Sequence, residues 1–301
     1  MMRYLMLVTL LWAFSFSLIG EFLAGRVDPW FSVLVRIALA LMVMLPWLRP
    51  RRLSLSSSLV LMAIGACQLG VMYGFYYHSF EYLSVAEVLL FTVMTPVYVT
   101  LWYDLLHGRF SPWYLLTAAI AVAGTAVIKY ASVNADFLLG FAVVQGANLC
   151  FAIGQASYKW WMEKQSQTLP QHQVFALFYV GALLVALPAY LMLGNSDRLP
   201  QTMTQWGILL WLGVVASGLG YFLWNRGACQ VDAGALAIMN NLLVPAGLLV
   251  NLVLWQHNLQ WGRLMVGGGL ILGSLWLNEA WVKPRVEAAR AMALARSAGQ
   301  G

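Results

Sequence analysis

Apolar runs of about twenty residues follow one another along nearly the whole chain, separated only by short polar breaks. A helix rises about 1.5 Å per residue, so each run matches the roughly 30 Å hydrocarbon core of a bilayer. Ten runs can be marked, at 4–23, 30–48, 59–79, 86–107, 112–131, 137–162, 172–194, 205–229, 234–256 and 261–281. They are about twice the length of a barrel strand and lack its alternation, so they predict helices. Charge agrees: 9% of the 301 residues are charged and 61% are hydrophobic, against about 25% charged in a soluble chain. A water-soluble enzyme is excluded, and so is a disordered chain, whose composition is the reverse. The expected fold class is an all-α polytopic membrane protein with ten transmembrane helices.

The breaks carry turn chemistry, as in Arg26-Val27-Asp28-Pro29, Gly108-Arg109-Phe110-Ser111-Pro112 and Gly194-Asn195-Ser196-Asp197-Arg198. They are too short to hold a soluble domain. Lysine and arginine accumulate on the cytoplasmic side of such proteins. With the N-terminus inside, the inner face collects Arg3, Arg49, Arg51, Arg52, Arg109, Lys159, Lys164, Arg226, Lys283, Arg285, Arg290 and Arg296, while the outer face keeps Arg26, Lys129, Arg198 and Arg263. Both termini are therefore expected in the cytoplasm, and the first span is an uncleaved anchor rather than a signal peptide. The excess positive charge records orientation and contact with anionic lipid, with no nucleic-acid partner implied. Cys67, Cys150 and Cys229 are widely spaced in apolar stretches and read as small buried residues.

Sliding the chain by 149 residues lays Pro96 on Pro245, Ala86 on Ala235 and Gly124 on Gly273; a shift near 139 lays Trp12-Ala13 on Phe151-Ala152. The chain thus divides into a first five-helix repeat at 1–133, a second at 137–282, and a basic cytoplasmic tail at 283–301. Five is odd, so the second repeat enters the membrane from the opposite face. Inverted repeats are the architecture of many secondary transporters, with substrate held between the halves near the midplane.

Leu11-Trp12-Ala13-Phe14-Ser15-Phe16-Ser17, the Arg36 in Val35-Arg36-Ile37, Met94-Thr95-Pro96-Val97 and Leu243-Val244-Pro245-Ala246 resemble the drug/metabolite transporter superfamily in its two-repeat EamA-type form. The resemblance reaches to about residue 281 and implies a multi-pass protein of the bacterial inner membrane that moves small metabolites without ATP hydrolysis. The sequence departs from the family where a glutamate usually follows the fourth and ninth helices; here Leu106-His107-Gly108-Arg109 and Trp255-Gln256-His257-Asn258 stand instead. The lysine common near the end of the first span is replaced by Gly20-Glu21. The run of sequence most resembles the carboxylate/amino acid/amine branch, which includes a bacterial biotin importer.

A charge at the bilayer centre costs roughly 2.5–3.5 kcal/mol on insertion scales, so ionisable residues within spans need a reason. Arg36 lies about 9 Å into the second span. It reads either as a cation steadying an anionic substrate, or paired with Glu87, or as a packing arginine. Lys159 and Arg226 lie near inner helix ends, where they hold a substrate carboxylate or snorkel to the cytoplasm. Glu87 is a coupling candidate or a helix-end charge. Gln68, Tyr73, Thr92, Thr95, Asn148, Gln155, Ser217, Asn225, Asn240 and Asn241 are neutral polar residues near mid-depth; in hydrocarbon each must bond another helix or face a polar cavity. Trp12 and Phe16, with Tyr73 and Tyr76, point to an aromatic-lined pocket. Tyr77 and His78 read as members of the outer aromatic belt, as do Trp47, Trp102 and Trp161. Pro96 and Pro245 are expected to bend their helices and serve gating.

No GxxxxGK[ST] loop is present, which argues against ATP drive within this chain, and no ATPase partner is evident. The four histidines stand apart without metal-ligand spacing, so no metal or other cofactor is expected. The function expected is secondary transport of a small organic metabolite, a carboxylate-bearing vitamin of the biotin type, by alternating access. The alternatives are export of amino acids or toxic metabolites and, from another class, a membrane enzyme acting on a lipid-linked substrate.

Overall fold

The computed structural model describes residues 3–49, 51, 53–108, 120, 135–165, 170–231, 233–255, 262, 265–266, 269–270, 273, 276–282, 284–288 and 292. The fifth span, apart from residue 120, lies outside the described residues, as do parts of the tenth, most of the tail and the side chain of Asn241. Among the described residues, seven helices are long and apolar enough to cross a membrane: α1 (Arg3–Leu23), α2 (Pro29–Trp47), α3 (Leu55–Tyr82), α4 (Val85–Leu106), α5 (Asp136–Lys164), α6 (Ala176–Leu193) and α7 (Met203–Ala228). An eighth, α8, runs Ala233–Trp255. These are spans one to four and six to nine of the sequence reading, and no strand occurs among the described residues.

The helix starts are written locally. Asp28 accepts from the Phe31 amide with Pro29 at the first turn of α2, and Ser54 accepts from Ser57 at the start of α3. Ser84 with Glu87, and Thr202 with Gln205, form capping boxes on α4 and α7. Each satisfies amides that have no partner within the helix.

The chain divides into two compact units, 1–103 with 134–257 and 104–133 with 258–301. In the second, described features are a π-helical turn at Asn278–Val282 and the Arg285 guanidinium 3.6 Å over the Trp281 ring. In the first, α2 packs along α6 and α7, α3 along α5 and α6, and α1 along α7 and α8. Its polarity is reversed from that of a soluble protein. Leu184, Leu191, Met192, Met42 and Leu249 are exposed, whereas Arg36, Gln68, Asn148, Gln155, Asn225 and Asn240 are buried, as a lipid solvent requires.

Glycine sets the closest crossings. A Cβ on Gly65 of α3 would stand 1.8 Å from the Phe178 carbonyl oxygen of α6, and one on Gly181 of α6 would stand 1.8 Å from that of Met62. Farther along, Gly70 faces Ala182 and Val185, while on α7 Gly213 faces Leu39 and Gly218 faces Ala40 and Val43 of α2. Small residues let helix backbones approach where no hydrophobic effect drives them together. Gly65→Val is therefore expected to lower the detergent melting temperature and the yield of folded protein. The lesion is overpacking worth about 1–3 kcal/mol or more, because the obstacle is backbone; Gly207→Ala, with nothing within 4 Å, serves as the control.

Both α3 and α7 contain a π-helical stretch, Ala66–Val71 and Leu212–Leu219 respectively. Such bulges break the regular i→i−4 ladder and are frequent at functional sites. Here each stretch lies just before the aromatic residues that face the cavity. The mid-span prolines differ from one another: Pro96 follows a 3-10 turn at Thr92–Met94, whereas Pro245 is exposed within an uninterrupted α8.

Candidate functional site

Within the first unit a cavity opens among α1, α2, α3, α4, α5, α7 and α8, enclosing about 670 Å³ of atom-free space, mouth included. Its floor and walls are aromatic. The Trp12 ring lies 4.9 Å from Trp224, 5.0 Å from Tyr221 and 5.7 Å from Phe151, and Phe16 meets Tyr76 edge-on at 5.0 Å. The Trp12 indole Nε1 donates to the Ala216 carbonyl at 2.9 Å, which fixes the ring to the bulge of α7.

Arg36 supplies the charge. It is 2% exposed and lines the cavity. Its Nε donates to Ser217 Oγ at 3.1 Å, Nη1 to the Tyr77 hydroxyl at 3.1 Å and Nη2 to the Tyr73 hydroxyl at 2.5 Å. The Tyr73 hydroxyl and Ser217 Oγ are 2.8 Å apart, and the guanidinium carbon sits 4.3 Å above the Tyr73 ring. Every bonded partner is a neutral hydroxyl. A guanidinium carries five N–H donors in a fixed fork, so donors remain for an anion that none of its bonded partners among the described residues supplies. A buried cation without a counter-charge is costly, and a carboxylate entering the cavity removes that cost.

A second wall belongs to α4, α5 and α8. Asn148 Nδ2 donates to the Phe91 carbonyl at 2.8 Å and to Gln145 Oε1 at 3.1 Å, and Thr92, Thr95 and Asn240 also line the space. Asn240 Nδ2 donates to the Leu236 carbonyl at 2.9 Å. Behind the wall, Gln155 Oε1 accepts from the Trp224 indole at 3.0 Å, and its amide pairs with that of Asn240 at 3.4 and 3.5 Å. Gln155 thereby holds two lining side chains without reaching the cavity.

Of the residues singled out by sequence, Trp12, Phe16, Arg36, Tyr73, Tyr76, Thr92, Thr95, Asn148 and Asn240 share this cavity. Others are placed elsewhere. Lys159 is bound to Glu163 at 3.0 Å and to the Val231 carbonyl at 3.0 Å. The Arg226 guanidinium lies 5.4 Å over the Tyr4 ring. Asn225 donates to the Tyr221 carbonyl. Gln68 is wholly buried against Gly154 with neither amide atom bonded. Glu87 sits in the cap of α4, its carboxylate accepting from the Ser84 amide at 2.8 Å, and the bonds of Arg36 go to other residues. Tyr77, expected in the outer belt, is 4% exposed and bonded to Arg36; a phenol one turn from Tyr73 shares its helix face. Trp161 is likewise buried, whereas Trp47 is exposed as a belt residue should be. Tyr221, Trp224 and Phe151 were not singled out as lining residues. A repeat offset of 148 would have found the first two, since it carries Tyr73 onto Tyr221 and Tyr76 onto Trp224.

A bundle of apolar helices around a cavity with aromatic walls and a cation whose bonded partners among the described residues are all neutral is the arrangement of a small-molecule membrane carrier. Comparison with known proteins agrees. The model of the EamA-like transporter family matches residues 2–130, and the chain belongs to that family. It is 52% identical over 285 residues to a biotin transporter of Salmonella typhimurium, covering 94% of this chain and 95% of the relative. It is 52% identical over 278 residues to a probable biotin transporter of Pseudomonas aeruginosa, covering 92% and 97%. A solved crystal structure at 19% identity superposes with a TM-score of 0.64 over 91% of this chain and 95% of its own, which bears on the fold alone.

Proposed function

We propose that this protein carries biotin into the bacterial cell as a secondary transporter, working by alternating access in the inner membrane with both termini in the cytoplasm. The observation that carries the reading is Arg36, buried at the cavity with only hydroxyl partners. Biotin presents one carboxylate on an alkyl chain and a compact ring system, which suits a cationic fork next to aromatic walls. The name shared by relatives at 52% identity supports the same cargo. Among the described residues that line the cavity, Arg36 is present and Lys159 and Arg226 are not, which supports Arg36 as the carboxylate ligand.

We also propose that the two halves, 1–133 and 137–282, are inverted repeats. Gly65 and Gly213, Gly70 and Gly218, and Tyr73 and Tyr221 are each 148 positions apart, and in each half the glycines receive a neighbouring helix. Pairing α3 with α7 in this way makes their π-helical stretches the counterpart points at which the walls can flex, with Pro96 and Pro245 as secondary ones.

Purified protein in liposomes should accumulate radiolabelled biotin in a saturable manner, faster than empty liposomes and competed by excess unlabelled biotin. Equal rates with and without protein overturn the cargo. Efflux from preloaded vesicles without matching uptake would instead support the export reading.

A further inference from the structure

Two polar groups of the cavity differ in hydrogen-bonding sense. On one wall the Arg36 guanidinium keeps N–H donors beyond the three it has spent. On the other wall, Asn148 has spent both of its N–H groups, on the Phe91 carbonyl and on Gln145 Oε1. Reversing the amide would press Oδ1 against two acceptors, and Gln145 Oε1 already takes the Tyr98 hydroxyl at 3.1 Å, so the orientation is fixed by the network. Asn148 Oδ1 is consequently the unused atom, and it belongs to a cavity-lining residue without being among the sealed, unbonded atoms of the interior. Its supporting partners come from α4 and α5, whereas those of Arg36 come from α3 and α7.

We propose that Asn148 Oδ1 is the specificity-determining acceptor for a neutral N–H of the cargo, so that the cavity selects molecules bearing a carboxylate at one end and an N–H donor at the other. The inference rests on the biotin reading, for which the donor is a urea N–H. A site built to hydrogen-bond a group discriminates strongly against the analogue lacking it, because a buried polar atom is then left unpaired. Gln145 and Tyr98 act as positioning residues that keep the acceptor aimed.

The test is competition against labelled biotin uptake in proteoliposomes by three unlabelled compounds: biotin, biotin methylated on both urea nitrogens, and biotin carboxamide. In the wild type the methylated compound should compete about tenfold more weakly than biotin. In Asn148→Ala that ratio should fall to about one, while the preference for carboxylate over carboxamide is kept. A general loss of packing weakens all three compounds together and leaves the ratios alone. Asn148→Leu, which fills the same space without an acceptor, should also bring the ratio to about one, and a ratio it leaves unchanged would assign the discrimination to methyl bulk and overturn the subsite. Equal competition by biotin and its methylated form in the wild type overturns the subsite, as does an unchanged ratio in Asn148→Ala. Absence of biotin uptake by the wild type overturns the cargo and the subsite together, whereas uptake without urea discrimination overturns the subsite alone.

Discussion

Arg36→Ala is expected to reduce biotin uptake at subsaturating concentration by about two orders of magnitude or more, with little change in the yield of folded protein. Removing one member of a buried, hydrogen-bonded charge pair costs roughly 2–5 kcal/mol, equivalent to about 30-fold to several thousand-fold in affinity. The fold should survive, because the three groups left behind, Tyr73, Tyr77 and Ser217, are neutral hydroxyls. Two of them already bond each other at 2.8 Å. Arg36→Lys should fall between the wild type and alanine, since an ammonium keeps the charge but loses the planar fork. The decisive readout is selectivity: the alanine variant should no longer prefer biotin over its carboxamide. Retained preference would assign the carboxylate to another residue.

Trp12→Ala should give the second largest loss, about 30-fold in apparent affinity. The indole closes one side of the cavity against Trp224, Tyr221 and Phe151, and its Nε1 ties α1 to the Ala216 carbonyl of α7. Aromatic contacts contribute about 0.5–1.5 kcal/mol beyond their buried area, and the hydrogen bond adds about 0.5–1.5 kcal/mol. Trp12→Phe separates the two: it keeps an aromatic face and drops the N–H, so it should lose several-fold rather than 30-fold. If phenylalanine is as damaging as alanine in equilibrium binding, the tie to α7 outweighs the ring as a wall.

Much of this architecture was legible because a bilayer leaves so few options. Run length gave the helices, and the depth of Arg36 gave a buried cation that demanded a reason. Side-chain direction was harder to read. Gln155 and Asn148 are both amides in one apolar helix, seven residues apart, yet one lines the cavity and the other stands behind its wall. Seven residues are about two helical turns, so the two share a face and periodicity cannot separate them; what differs is their height along the helix relative to the cavity. Tyr77 and Trp161 mislead for a related reason: an aromatic near a helix end suits the interface as well as a crossing helix does. Lys159 sits at the depth of a snorkelling residue, but the carbonyl and carboxylate that hold it belong to positions no spacing rule connects. Tyr221 and Trp224 were recoverable in principle, through the offset that relates α3 to α7.

The neutrality of the groups around Arg36 also has an electrical consequence. With its bonded partners all uncharged, the empty site carries one positive charge, and a bound carboxylate brings it to zero. In the proposed alternating-access cycle, with Arg36 as the carboxylate ligand, exchanging access from one side of the membrane to the other moves that charge through part of the transmembrane field only when the site is vacant. A full elementary charge crossing 100 mV corresponds to about 2.3 kcal/mol. Voltage therefore acts on the resetting of the empty carrier and leaves the loaded step nearly untouched, in whichever direction the cargo travels.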